Sequence, residues 1–249
     1  MSTYIADSEI SEFNRMKTTE WMDISEDFAF VVQSSFEYYK ISDGLYDITV
    51  MPLVNLWGFG PDKFIDIPTT TNIDSVLAFI GQDLIEVESN RIRKKDPRVQ
   101  IDLSSIAKGF AVDKIIESLN YDNIFVEIGG EVRSKSNEKI WKVGINTPSI
   151  DNISNEIEYI APIKNGSIAT SGNYRNFYID KDNRFYHHEI NPLTGYPIMS
   201  KLASISIFTE TSCMEADGLA TALYMMEVND INSFFEETDI EGLMILVEP

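Results

Sequence analysis

The chain has 249 residues, which corresponds to one large or two small domains at roughly 100 to 200 residues per domain and is enough to bury a sizeable core. Twenty lysines and arginines stand against 40 aspartates and glutamates, and the resulting net charge of −20 repels phosphate backbones and anionic membrane surfaces. One cysteine, Cys213, excludes an internal disulfide, and two histidines without a second cysteine exclude a structural zinc site of the usual Cys/His kind.

Partners and compartment are constrained by the same composition. We expect no nucleic-acid partner, whereas an anionic small molecule can still be bound locally by backbone amides, a few cations or a metal. No apolar run approaches the roughly 20 residues that span a bilayer, and the amino terminus lacks the basic region and apolar core of a signal peptide. We therefore expect no transmembrane segment in this chain, and the compartment stays open.

Hydrophobic periodicity predicts the following elements in chain order. Apolar residues recur at a 3.6-residue period from Ser25 to Lys40, which predicts an amphipathic helix that stops near Gly44. Two further helices are predicted, Ile106–Leu119 and Cys213–Met226. Predicted strands are Leu84–Val87, Arg98–Leu103, Ile124–Ile128, Trp141–Ile145, Ser167–Ser171, Tyr174–Ile179 and Leu202–Phe208. Because strands and helices do not alternate strictly, this order favours an α+β fold with a mixed, mostly antiparallel sheet and flanking helices.

The segment from Ile101 to Ala111 is the first one whose residues could bind a ligand or take part in a reaction. Ser104 or Ser105 is expected to cap the following helix, whose first amides and positive dipole end favour an anion, and Lys108 adds a charge one turn later. An ordinary strand-to-helix corner with a solvated lysine explains the same pattern. Asp102 is less ordinary, because a carboxylate at the end of an apolar strand must be hydrogen-bonded or metal-bound if it is buried.

Asp217 and Thr221 are the second candidate pair. They lie four residues apart on a predicted helix, hence on one face. Carboxylate and hydroxyl oxygens suit Mg²⁺, which keeps waters and takes only one or two protein carboxylates. A solvated helix face, or a threonine that bonds back to its own helix, explains the spacing equally well.

The two histidines, His187 and His188, precede the Pro-x-Thr-Gly-x-Pro segment 192–197, which predicts a rigid turn. A histidine in such a loop can act as a general base, since its ordinary pKa lies near neutrality. The alternative is a hairpin that carries imidazoles without a catalytic role. Trp57 is interpreted as a core anchor rather than as a stacking platform.

Taken in order, these segments resemble the ApbE-type family of FAD:protein FMN transferases over nearly the whole chain. The matching blocks are Met1–Tyr4, Asp7–Asn14, Tyr46–Asp47, Pro52–Gly60, Asp102–Ala111, Val126–Arg133, Ala169–Phe177, His188–Pro197 and Cys213–Ala222. Each block alone is a weak signal, whereas the ordered set is specific.

The resemblance implies an enzyme that needs Mg²⁺, cleaves the pyrophosphate of its substrate FAD and esterifies FMN onto a threonine of an acceptor flavoprotein, with release of AMP. It implies metal ligation by Asp217, Thr221 and the carbonyl of Ser105, and it makes His188 the base for the acceptor hydroxyl. The position of His187 is expected to tolerate alanine. The implied FAD contacts are Tyr4, Leu45, Tyr46, Asp47, Asp102, Lys108 and Ile190, and the flavin ring is expected to meet a wall formed by Tyr4, Tyr46 or Trp57.

The resemblance also predicts one ApbE-like domain over 1–249 that lacks the first strand and helix of the family. Met214 stands where many relatives carry a second acid. Two alternatives stay open, an FAD pyrophosphatase that yields FMN and AMP, and a non-catalytic FAD-binding protein. In the family the acceptors are flavin-bearing subunits of extracytoplasmic or membrane-associated reductases, which implies a similar location here although the chain shows no targeting signal.

Overall fold

A computed structural model of the chain describes residues 1–60, 67–148, 156–173 and 176–247. The helices in this part are α1 Glu9–Arg15, α2 Glu26–Ile41, α3 Met51–Leu56, α4 Thr70–Leu77, α5 Ala107–Ser118, α6 Cys213–Tyr224 and α7 Val228–Glu237. The strands are β1 Met22–Asp23, β2 Ile85–Glu88, β3 Arg91–Lys94, β4 Asn123–Ile128, β5 Glu131–Ser136, β6 Trp141–Asn146, β7 Ile157–Ile163, β8 Gly166–Gly172, β9 Phe177–Ile179, β10 Phe185–His187, β11 Leu202–Thr209 and β12 Glu241–Leu246.

The chain divides into two compact units. The first unit comprises Met1–Ser104 and Tyr178–Ile198, and the second comprises Ser105–Phe177 and Met199–Pro249. Neither unit is a continuous stretch of sequence. The single domain over 1–249 therefore stays a prediction, and each unit is described by itself.

Helix α2 of the first unit confirms the prediction from periodicity. Its N-cap is Ser25, whose Oγ accepts a hydrogen bond from the Phe28 amide at 3.2 Å. The helix faces the core with Phe28, which is fully buried, and the chain leaves it through left-handed conformations at Asp43 (φ 49°) and Gly44 (φ 84°). Local sequence chemistry thus sets both ends of this helix.

The predicted strand Arg98–Leu103 is wrong, because this segment pairs with no strand in the described part of the chain. Its backbone is satisfied by a side chain instead: the amide of Asn14 donates to the Ile101 carbonyl and its Oδ1 accepts from the Ile101 N–H, both at 2.8 Å. The Asp102 N–H donates to the carbonyl of Ile48 at 2.7 Å. An extended apolar segment can therefore be buried without joining a sheet, provided that its polar groups find partners elsewhere.

The second unit is built on an antiparallel sheet in the order β12-β11-β8-β5-β4. Helices α5 and α6 pack on it and on each other. Val132 of β5 pairs with Ile168 of β8 in antiparallel orientation. The first residues of β5 and the last residues of β8 therefore lie at the same end of the sheet. The predicted α+β class with a mostly antiparallel sheet is confirmed.

Helices α5 and α6 cap each other. The carboxylate of Asp113 on α5 accepts hydrogen bonds from the first amides of α6, those of Cys213 at 2.8 Å and Met214 at 2.9 Å. In return, Oδ2 of Asp217 on α6 accepts from the Gly109 amide on α5 at 2.9 Å. The cap of α5 by Ser104 or Ser105 is therefore wrong: the N-cap position is Ile106, which offers no side-chain bond, and a residue 108 positions away takes over.

Glycine is required where these helices approach. A Cβ on Gly109 would lie 2.6 Å from the Cys213 carbonyl carbon and 2.8 Å from the Asp217 Cβ, well inside van der Waals contact. The close approach keeps the Asp217 carboxylate against the start of α5.

The remaining predicted elements agree with the structure within a few residues at their ends. The predicted strand Tyr174–Ile179 is confirmed only as Phe177–Ile179, because Tyr174 and Arg175 lie outside the described residues. The strand β3 was not predicted, since its alternation of basic and apolar residues is short.

Candidate functional site

A buried group of charges lies at the start of α5 in the second unit. The ammonium of Lys108 is hydrogen-bonded to Oε1 of Glu131 and lies 3.9 Å from Oδ1 of Asp217. Glu131 is 2% exposed and Asp217 is 3% exposed, whereas Lys108 is partly exposed. Two carboxylates thus share one cation in a poorly hydrated place.

The electrostatics of this group follow from burial. Burial raises the pKa of Asp217, Lys108 counteracts this shift, and Glu131 adds to it by repulsion. Burial also disfavours the ammonium of Lys108, but Asp217 and Glu131 outweigh that effect and raise its pKa. The lysine therefore stays charged, and the cluster retains more negative than positive charge when both carboxylates are ionised.

Glu131 enters the cluster through the turn between β4 and β5. Gly129 (φ 67°) and Gly130 (φ 109°) adopt conformations that other residues rarely take, and Glu131 follows as the first residue of β5. Its Oε2 is buried and has no hydrogen-bond partner among the residues that the structure describes. An unpartnered buried carboxylate oxygen is costly, which marks this place as one that accepts a further cation or donor.

Thr221 lies one turn after Asp217 on α6. Its hydroxyl is 3.0 Å from the hydroxyl of Ser171 on β8. Ser171 lies near the last residue of β8, at the same end of the sheet as Glu131. Either hydroxyl can donate in this hydrogen bond, which links the Thr221 side chain to strand β8.

The predicted metal ligands of the second unit are hard oxygen donors. Ser105 lies half-buried in the turn that leads into α5, while Asp217 and Thr221 lie on α6. Within the described ranges, no group of three or more His, Cys, Asp or Glu side chains is arranged to hold a metal. One carboxylate with neutral oxygens, next to an unpartnered carboxylate oxygen, suits Mg²⁺ better than a softer transition metal.

Two predicted FAD-contacting carboxylates lie in the first unit. Asp47 is buried, and its Oδ1 accepts bonds from the amide of Thr49 at 2.8 Å and from its hydroxyl at 2.6 Å. Burial raises the pKa of Asp47 to about 6, against the opposing effect of those hydrogen bonds. Asp102 is half-buried and accepts from the Ser104 amide at 2.7 Å, so it is hydrogen-bonded as expected.

The other predicted FAD contacts of the first unit differ in exposure. Tyr4 is 74% exposed, Leu45 is half-buried, and Tyr46 and Ile190 are buried. Tyr46 and Trp57 each expose only 3% of their surface, so the flavin wall expected from Tyr4, Tyr46 or Trp57 stays a prediction in which Tyr4 has the exposed ring. The rings of Tyr46 and Trp57 are buried because they pack in the hydrophobic core.

Trp57 anchors the predicted turn. Its indole N–H donates to the Gly195 carbonyl at 2.7 Å. Within the turn, Oδ1 of Asn191 accepts from the Leu193 and Thr194 amides, and Gly195 takes φ 77°. The rigid turn is thus confirmed, as is the interpretation of Trp57 as a core anchor.

The two histidines have opposite environments. His187 is 3% exposed, and its Nε2 lies 2.8 Å from the Ile198 carbonyl while its Nδ1 accepts from the Glu189 amide at 3.3 Å. Burial lowers the pKa of His187 to about 4, which keeps the ring neutral. His188 is half-buried, with Nε2 3.3 Å from Oε1 of Glu189 and its ring 6.4 Å from that of Phe59.

The expected tolerance of His187 to alanine stays a prediction, and the environment of this ring in β10 makes its loss costly. The ring is buried and both nitrogens are engaged, so its removal leaves polar groups without partners. His188 is the histidine whose side chain reaches solvent and stands beside a carboxylate. A catalytic role for His188 stays a prediction.

Sequence reasoning did not single out three groups of these sites, Glu131, Ser171 and Glu189. Glu131 and Ser171 fall inside matching blocks but are joined to Lys108 and Thr221 only by folding. Glu189 was overlooked although it directly follows His188, and adjacency of a histidine and a carboxylate is a usable signal.

The predicted site residues divide between the two units. The first unit holds Tyr4, Leu45, Tyr46, Asp47, Asp102, His188 and Ile190, and the second holds Ser105, Lys108, Asp217 and Thr221. In the part of the chain with described coordinates, no helix is long and apolar enough to cross a membrane.

Comparison with known proteins places these features in a family. The ApbE family model matches residues 1–244. Proteins of Haemophilus influenzae and Vibrio cholerae that are named FAD:protein FMN transferase are 39% and 40% identical, over 99% of this chain and 74% and 75% of their own lengths. The solved structure of the flavin transferase ApbE from Vibrio cholerae, 38% identical, superposes with a TM-score of 0.87 over 99% of this chain and 79% of that one.

These matches confirm the resemblance drawn from the ordered sequence blocks, and they confirm the enzyme class, a transferase. At this TM-score the antiparallel sheet and its packed helices belong to the fold that the solved ApbE structure shares with this chain. The chain belongs to the ApbE family.

Proposed function

We propose that this chain transfers the FMN moiety of FAD to a threonine hydroxyl of an acceptor flavoprotein in a Mg²⁺-dependent reaction that releases AMP. The observation that carries this proposal is the buried group of Lys108, Glu131 and Asp217 at the start of α5. In a protein of net charge −20, an anionic dinucleotide needs local positive charge, and this group offers the Lys108 ammonium together with carboxylate oxygens that suit a divalent cation. The name shared by the relatives supports flavin transfer.

Asp217, Thr221 and the carbonyl of Ser105 are the proposed Mg²⁺ ligands. Bound Mg²⁺ would neutralise charge on the phosphoryl oxygens while the pyrophosphate bond breaks. Lys108 provides a second positive charge for these oxygens, since its ammonium is charged and partly exposed. Ser171 orients the Thr221 hydroxyl by a hydrogen bond.

His188 is the proposed general base. The threonine oxygen forms a bond to the FMN phosphorus, the bond from that phosphorus to the bridging oxygen breaks, and AMP departs with the bridging oxygen. The hydroxyl proton passes to His188, which reaches solvent and is flanked by Glu189. His187 cannot replace it, because both of its ring nitrogens are already engaged.

The remaining FAD contacts are proposed at Tyr4, Leu45, Tyr46, Asp47, Asp102 and Ile190. The side chains of Tyr46 and Ile190 are buried, so their backbone groups would make the contact. Asp47 and Asp102 each retain carboxylate lone pairs beyond the hydrogen bonds described above, and ribose or adenine donors are suitable partners for such oxygens.

The test is incubation with FAD, Mg²⁺ and a threonine-bearing acceptor domain, followed by intact-mass analysis. We expect the acceptor to gain the mass of FMN minus one water, and AMP to appear in equal amount. Omission of Mg²⁺ and an acceptor with valine in place of its threonine are the controls. Free FMN without an acceptor adduct would favour the pyrophosphatase, and FAD bound but unchanged would favour a binding protein.

A further inference from the structure

Glu131 has no role assigned so far, although it is the most deeply buried carboxylate of the charged group, at 2% exposure. One of its oxygens accepts a hydrogen bond from Lys108, and the other has no hydrogen-bond partner within the described ranges of the chain. Lys108 therefore has two carboxylates within reach, a direct hydrogen bond to Glu131 and a longer approach of 3.9 Å to Asp217.

We propose that Glu131 is a positioning residue that holds the Lys108 ammonium away from Asp217, so that the Asp217 carboxylate stays available to a divalent cation. This inference rests on the proposed Mg²⁺ site and adds a residue to it.

Two cations, the Lys108 ammonium and a bound Mg²⁺, would compete for the Asp217 carboxylate. An ammonium that is hydrogen-bonded to Asp217 would neutralise it and occupy a coordinating oxygen. At 3.9 Å the ammonium lies beyond hydrogen-bonding distance, and the Gly109 amide takes Oδ2 of the carboxylate instead. The direct partner of Lys108 is Glu131, and this choice leaves Asp217 with its lone pairs largely unused.

The backbone around Glu131 supports a positioning role. The Gly129–Gly130 turn directs Glu131 toward Lys108, and a Cβ at Gly129 would lie 3.6 Å from Lys108 Cδ and 3.3 Å from Oε2 of Glu131. Glu131 then begins β5, and its backbone is held by pairing with Ile128 of β4. A carboxylate held on a strand gives the lysine one defined position, whereas an exposed lysine would sample many rotamers.

The test is a double-mutant cycle that measures Mg²⁺ binding by calorimetry, with Mg²⁺ as the only ligand. Glu131→Gln should lower Mg²⁺ affinity by roughly tenfold, within the range of couplings between contacting charges, because Lys108 then moves to Asp217. In the Lys108→Met background the same change should have an effect of about threefold or less, since no competing cation is left. Glu127→Gln, which removes an exposed carboxylate from the adjacent strand β4, is the matched control and should leave affinity unchanged.

Equal losses from Glu131→Gln in both backgrounds would overturn the positioning role and would make Glu131 a direct ligand or a general source of negative charge. Unchanged affinity in Glu131→Gln would overturn the inference while the proposed Mg²⁺ site stands. If the wild-type protein binds no Mg²⁺, the proposed site fails, and the inference fails with it.

A second variant keeps the inference testable if Glu131→Gln does not fold. Lys108→Met alone should raise Mg²⁺ affinity by about threefold or less, because Glu131 already holds the lysine away from Asp217. A gain of about tenfold or more would mean that Lys108 occupies Asp217 in the wild type, and the inference would be wrong. Thermal unfolding of each variant shows that the comparison is made on folded protein.

Discussion

Asp113 and Asp217 lie on two helices that cap each other, and yet they differ in what they can do. Each carboxylate lies at the beginning of the other helix and accepts backbone hydrogen bonds there. Asp113 is saturated by two amides and by Arg133, whose Nη1 lies 2.7 Å from its Oδ1. Asp217 has one amide, and its nearest cation stands 3.9 Å away.

The same arrangement, a carboxylate at the start of a facing helix, can therefore either hold two helices together or leave oxygen atoms available to a ligand. A carboxylate whose acceptor capacity is filled by the protein holds structure and has nothing left for a ligand. A carboxylate that is equally buried but only partly satisfied keeps capacity for a cation, and it carries a desolvation cost until one arrives. The contrast between groups whose hydrogen-bonding capacity is filled and groups that are only partly satisfied can be tested by the substitutions that follow, in order of decreasing effect.

The strongest test exchanges the two aspartates for asparagine. Asp217→Asn should lower Mg²⁺-dependent FAD turnover by about 10²-fold or more, because it removes the one anionic ligand assigned to the cation. Asp113→Asn should keep the activity of the folded protein but lower the free energy of unfolding by about 2–3 kcal/mol, through loss of charge-assisted hydrogen bonds. Turnover assays and urea titrations of both variants measure the two effects. The contrast fails if Asp113→Asn loses turnover while its stability is unchanged.

The histidines repeat the contrast in the first unit. His188→Ala should lower the transfer rate by about 10² to 10⁴-fold and leave FAD affinity nearly unchanged. His187→Gln should retain the transfer rate of the folded protein. Single-turnover transfer and FAD fluorescence titrations distinguish rate from binding. If His187→Gln is the slow variant and His188→Ala is silent, the proposed base is misassigned.

Acidification should lower the free energy of unfolding through His187, whose two ring nitrogens are both hydrogen-bonded. The unfolded chain protonates His187 below about pH 6.5, whereas the folded protein keeps the ring neutral down to about pH 4. Because the folded pKa is depressed, its contribution is fully present above pH 6.5 and is lost as the pH falls to 4, a change of about 3 kcal/mol. The difference in unfolding free energy between wild type and His187→Gln should shrink by about this amount over that interval. A difference that does not vary with pH would refute it.

The smallest expected effect concerns the hydroxyl pair. Ser171→Ala removes the partner of the Thr221 hydroxyl and should weaken Mg²⁺ binding by about two- to tenfold, the range for one neutral hydrogen bond. Ser167→Ala on the same strand is a matched control, because the Ser167 hydroxyl is buried without a hydrogen bond and its loss should cost nothing. Equal effects of the two variants would show that strand β8, rather than the hydroxyl bond, is responsible.

The sequence by itself determined the features that depend on neighbours within a few residues. The helix α2 follows from its apolar period and from Ser25, and the turn after His188 follows from Asn191 and Gly195, whose local bonds and positive φ make it rigid. The ordered blocks also determined the family, because the residue types and their order can be read from the sequence without knowing which residues are in contact.

Only the tertiary structure decided which polar groups are satisfied and which are left open. The partner of Lys108 comes from 23 positions away, that of Thr221 from 50 and the amide on Asp217 from 108, and none of these pairings leaves a periodic trace in the sequence. The predicted strand Arg98–Leu103 failed for the same reason, because Asn14 satisfies its backbone across 87 positions. Local patterns encode local hydrogen bonds, whereas the reactivity of a buried group depends on the sum of its distant partners.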